Sequence, residues 1–194
     1  MHHLLSSSTV VIGVGNTILS DDGVGVHAAT RLQGDPRVPA GVVILDGGTI
    51  GLELLPYASD ASRILLLDAI DSGAAPGTLT RMTGQELLST KTGRSVHQLG
   101  VADLVAALAL VSTQSQDIVV LGAQPQNTDW GTSLSPAVEA ELPALVDAAV
   151  AQLHSWSLSP GSASFQSDRC TESPEESPEQ PPDPRLEIRE EGSL

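Results

Sequence analysis

A chain of 194 residues, 40% of them apolar but only 2% aromatic, is long enough to bury one full core and must build it from Val, Leu, Ile and Ala. A formal charge of −15 argues against nucleic acid, whose phosphates need Lys and Arg, and one cysteine excludes an internal disulfide framework or a Cys-based zinc finger. No apolar run approaches the ~18 residues of a membrane span, and residues 1–8 lack the basic segment and long apolar stretch of a secretory signal, so a soluble cytoplasmic protein is expected.

In chain order, Thr9–Val14 reads as a strand and Val24–Leu32 as a helix. Val42–Leu45 is a second strand and Gly51–Tyr57 a short helix. Ile64–Leu67 is a third strand, whose unbroken apolarity suits a sheet covered on both faces. Thr78–Met82 is a more polar strand, suited to an edge. Leu99–Leu110 is helical, with Leu99, Ala102, Ala106 and Ala109 stepping by three or four. Ile118–Leu121 is a further buried strand, and Pro136–Leu153 the last helix, opened by Ser135 as N-cap and Pro136 at its first position. Strands alternating with helices predict an α/β fold, a mostly parallel sheet between two helical layers. Composition shifts near residue 156, which divides the chain into a flexible start over 1–8, a domain over 9–156 and an acidic tail over 157–194. From 161 onward the tail carries nine acids and three Arg among Ser and Pro, with almost nothing to bury, so it reads as disordered, and Cys170 within it as incidental.

In open α/β sheets, ligands bind beyond the carboxyl ends of the strands. Those ends carry Gly13, Gly15 and Asn16 followed by Ser20-Asp21-Asp22-Gly23, then Asp46-Gly47-Gly48-Thr49, Asp68, and Gln124-Pro125. His97 precedes a helix and belongs near the same rim. A dinucleotide loop fails, because the third glycine would fall at Ile18, and Asp21 and Asp22 would repel a pyrophosphate. No phosphate-binding G-x-x-x-x-G-K-[ST] run occurs. A Ser20–His97–Asp triad lacks the G-x-S-x-G elbow, and Ser20 reads better as a helix N-cap. Asp21 reads as a first-turn acid favoured by the helix dipole. Asp22, Asp68 and His97 instead suit a divalent first-row ion, with coordination positions left open for chemistry. Asp46 before two glycines reads equally as a turn former.

Five stretches then resemble the NiFe-hydrogenase maturation endopeptidases, in that family's order over roughly residues 9 to 153. They are Gly13-Val14-Gly15-Asn16 with Asp21-Asp22-Gly23-Val24-Gly25; Leu45-Asp46-Gly47-Gly48-Thr49 with Gly51; Leu67-Asp68-Ala69 with Pro76-Gly77-Thr78; Ser95-Val96-His97-Gln98-Leu99-Gly100 with Asp103-Leu104; and Gly122-Ala123-Gln124-Pro125 with Leu134-Ser135-Pro136. The resemblance implies a three-layer α/β/α sandwich with a twisted, mostly parallel five-stranded sheet. It implies removal of a short C-terminal extension from a hydrogenase large-subunit precursor after nickel insertion. Carried over by position, Asp22, Asp68 and His97 are the metal-contacting and catalytic residues, and Asp46 an acid tied to substrate recognition or catalysis. The family often has Glu where this chain has Asp22, which shortens the reach by about 1.5 Å. Nickel would arrive with the precursor, and Zn or Cd could occupy the same place adventitiously. A monomer is expected. The alternative is a non-catalytic chaperone that binds the precursor with the same rim.

Overall fold

The computed structural model describes residues 8–89 and 96–158, the side chains of 96–99 excepted. The strands are β1 (Thr9–Val14), β2 (Val43–Gly48), β3 (Arg63–Ala69), β4 (Leu79–Thr83) and β5 (Asp117–Ala123). The helices are α1 (Val24–Gln33), α2 (Leu55–Ala58), α3 (Gly84–Ser89), α4 (Val96–Val111) and α5 (Pro136–Leu158), with 3-10 turns at Ser20–Gly23 and Gly51–Leu54. Residues 1–7 and the tail from 159 onward, with Cys170, lie outside the described residues, while 157 and 158, expected to belong to the tail, end α5.

The sheet order is β2-β1-β3-β5-β4. Its first four strands are parallel, and β4 closes the edge antiparallel to β5. Alternation along the strands divides the core in two. Val11, Leu65, Leu67, Val119 and Leu121 face α1 and α5. Val10, Ile12, Ile64, Leu66 and Val120 face α2, α3 and α4. The three layers expected from the alternation of strands and helices are therefore present. Among the described residues, no helix is long and apolar enough to cross a membrane.

Three local readings change. First, β2 continues through Asp46-Gly47-Gly48, because the ladder skips Gly47: Gly13 pairs with Asp46 and Val14 with Gly48. Second, β3 continues through Asp68, opposite Gly122, so this acid sits within a strand rather than on the loop after it. Third, α3 was not read from the sequence. Its N-terminus is a reciprocal box, in which the Thr83 backbone N–H donates to Glu86 Oε2 at 2.7 Å and the Glu86 N–H to Thr83 Oγ1 at 3.2 Å. The Thr-x-x-Glu spacing was the available signal. The Ser135 cap on α5 is present, its hydroxyl accepting from the Val138 N–H at 3.4 Å.

The start of α1 lies against β1 with no side chain between them. A Cβ on Gly25 would run into the carbonyl oxygens of Val14 and Leu67, and one on Gly13 into the Gly25 carbonyl. This contact fixes where the chain emerges from the turn at Ser20–Gly23. Gly25→Ala is expected to lower stability by about 1–3 kcal/mol, although Ala is the better helix former by about 1 kcal/mol. Urea denaturation reads the difference, and an unchanged or raised midpoint would mean that the helix can back away.

Candidate active site

The strand order reverses direction around β1, since β2 lies to one side and β3 to the other. Open α/β sheets bind ligands at such a switch point. The loop leaving β1 there is tightly wound. Gly15 takes φ +126°, a left-handed region that favours glycine, and a Cβ on it would strike the Asp22 carbonyl. The Asn16 backbone N–H donates to Asp22 Oδ2 at 2.8 Å, and the Ile18 N–H to Asn16 Oδ1 at 3.1 Å. The loop thereby turns the Asp22 side chain inward, where it is buried.

Asp68 is buried beside it near the end of β3. Burial pushes the Asp68 carboxyl well above the usual carboxylate range; the Ala69 backbone N–H, 2.8 Å from Oδ1, opposes this, and the Asp22 charge pushes it further up. Two acids sharing a poorly solvated space favour either a retained proton or a cation between them. Their hard oxygens suit a divalent first-row ion.

His97 is the second residue of α4, which begins at Val96, rather than on the loop before that helix, and its side chain lies outside the described residues. The next turn of that helix, Gly100 and Val101, lines a crevice of about 190 Å³ together with Val14, Thr49, Gly51, Leu54 and Leu104. The helix therefore starts next to the end of β1. Among the described residues, no three His, Cys, Asp or Glu side chains gather as a metal site. Asp46 stands apart from the buried pair. It lies in register with Gly13 on the other side of β1, is exposed, and accepts the Gly48 N–H at 3.0 Å. Asp46 is therefore part of the bulged end of β2, its carboxylate hydrogen-bonded to the strand's last residue, rather than of a turn after it. A larger cavity of about 430 Å³ opens at the opposite end of β5, beside Gln116 and Asp117, away from these acids.

Two expectations are corrected. Ser20 caps no helix: it sits at φ +50° in the first position of its turn, buried, with its hydroxyl donating to the Asp129 carbonyl at 3.1 Å. Asp21 does more than complement a dipole. Fully buried, it accepts the backbone N–H groups of Gln126 (2.9 Å), Asn127 (3.0 Å) and Ser135 (2.6 Å). It ties the loop after β5 to the loop after β1. Gln124, noted in the sequence as a strand-end residue and as part of the Gly122-Ala123-Gln124-Pro125 stretch, is a second tie. Its Oε1 accepts from the Ser72 and Ala74 N–H groups at 2.8 and 3.2 Å, and its Nε2 donates to Asp71 Oδ1 at 3.0 Å. An amide between the apolar end of β5 and Pro125, inside a stretch that resembles the family, was the available signal.

Residues 26–152 match the family model described as hydrogenase maturation protease, a stretch that begins after Asp22. The hydrogenase expression/formation protein HupD of Rhodobacter capsulatus is 35% identical over 152 residues, covering 77% of this chain and 72% of that protein. The hydrogenase 2 maturation protease of Escherichia coli is 34% identical over 146 residues, covering 74% of this chain and 89% of that one. The solved structure of the hydrogenase maturating endopeptidase HybD from E. coli superposes with a TM-score of 0.69 at 33% identity, covering 76% of this chain and 93% of that one.

Proposed function

The chain belongs to the hydrogenase maturation protease family, and we propose that it is the endopeptidase that removes a short C-terminal extension from a nickel-loaded NiFe-hydrogenase large-subunit precursor. The observation that carries this reading is the buried Asp22–Asp68 pair at the switch point of the sheet. Nickel here is cargo of the substrate, held by the precursor. Asp22 and Asp68 offer it carboxylate oxygens, and His97 an imidazole from the start of α4. Asp46, exposed on the flank, is placed to meet the precursor chain rather than the ion. The scissile bond then lies at the rim, where a carboxylate can take a proton from the attacking water. A precursor without nickel lacks the atom that these side chains grip, so cleavage waits for insertion. Zn or Cd would settle on the same donors in the absence of substrate. We place the reaction in the cytoplasm and the enzyme as a monomer.

Incubation with nickel-loaded and nickel-free precursor, read by mass spectrometry, tests this. The expected result is loss of the C-terminal peptide from the loaded form alone. Equal cleavage of both forms would remove the role of nickel. Binding with no change in mass would make the protein a chaperone.

A further inference from the structure

We propose that Trp130, with Ile18 beside it, is the anchor on which the folded body of the precursor docks; this rests on reading the chain as a precursor-processing peptidase. The chain holds two Trp, one Tyr and one Phe in 194 residues. One of the tryptophans, Trp156, is buried in the core and donates its indole N–H to Asp117 at 2.6 Å. The other, Trp130, is 82% exposed. A large ring held in water serves no core, and Trp is enriched among the residues that carry binding energy at interfaces.

The loop that holds this ring is fastened down. Leu19 and Gly131 form a parallel bridge. Ile18 and Trp130, one residue before each partner, are 45% and 82% exposed. The Gly131 N–H donates to the Ile18 carbonyl at 3.0 Å, and the Ser20 N–H to the Gly131 carbonyl at 2.8 Å. The Asp129 N–H donates to Asn127 Oδ1 at 2.8 Å, and the Asp21 carboxylate holds Gln126, Asn127 and Ser135. A surface aromatic on a backbone already fixed gives up little conformational freedom on binding.

Position selects the occupant. Asp21, which fastens the Trp130 loop, is the sequence neighbour of Asp22 in the carboxylate pair. A protein whose terminus reaches that pair must lay its body against the adjoining rim, and this aromatic is on that rim. Ile50 and Leu52, both about half exposed, lie just after β2 on the other flank of β1. The partner is therefore the precursor protein rather than its cleaved peptide alone.

The test uses the full chain and nickel-loaded precursor, with steady-state processing and equilibrium binding measured in parallel. Trp130→Ala is expected to raise KM and Kd by about tenfold or more and leave kcat within about twofold, with Trp130→Phe recovering most of the loss. The melting temperature should change little, because the residue is 82% exposed. Unchanged KM and Kd in Trp130→Ala would overturn the anchor and leave the peptidase reading intact. Binding that weakens in the variant, with no cleavage by the parent protein, would keep the anchor and overturn the peptidase. A loss of self-association in the variant with Kd for precursor unchanged would assign the surface to a second copy of the chain and overturn the proposal.

Discussion

Asp68→Asn is expected to reduce precursor processing on the order of a thousandfold or more while leaving the protein folded. The side chain keeps its shape, and its carbonyl oxygen can still accept the Ala69 N–H. It loses the charge that a cation needs from its ligand. A cleavage assay on nickel-loaded precursor, with circular dichroism as the folding control, decides it; processing within tenfold of the parent would remove Asp68 from the chemistry. Stability should move in the opposite direction to activity. The folded-state pKa of Asp68 is raised by burial above the ordinary value of 3.8. The folded protein therefore holds this proton more tightly than the unfolded chain does. Its contribution is fully present below the unfolded pKa and is lost as pH rises through the folded one, with a slope of at most about 1.4 kcal/mol per pH unit. Asn has no such titration. In the absence of added metal, Asp68→Asn should match the parent at low pH and exceed it near neutrality.

Asp21→Ala is expected to act on stability instead, costing about 3–5 kcal/mol. Three backbone N–H groups from the loop after β5 point at this one carboxylate. Removing it leaves those donors facing a cavity in a buried place, and the penalty of an unmet buried donor exceeds the net worth of the bond. Asp21→Asn should fall between, since an amide can accept on one side only and would turn its own N–H groups toward other donors. For a chain of this size the alanine variant should melt about 6–20 °C lower. A shift under about 2 °C would mean that water satisfies the loop as well as Asp21 does.

Much of the architecture was legible because it rests on local pattern. β1 is a run of Val and Ile bounded by glycine, and its observed limits match those expected. The ends of β2 and β3 were not legible, because a bulge at Gly47 and pairing across to Gly122 decide where those ladders stop. The site divides along the same line. The acids were expected on one rim because strand ends collect there, and Asp22 is near enough for its charge to act on Asp68. Asp21 could not be told from a first-turn acid, since its partners lie 105 to 114 residues further along the chain. Ser20 has a similar history, its hydroxyl being bound to Asp129, 109 residues away. Such pairings leave no trace in spacing or composition.

Asp21 and Asp22 are consecutive in one short turn, yet one closes a distant loop and the other faces the shared acid of β3. Their loss would silence the protein by unrelated routes. An inactive variant at either position therefore carries no assignment by itself: the first would be betrayed by its melting curve, the second only by the size of its product. Any survey scoring processing alone would merge a keystone with the acid proposed to grip the ion.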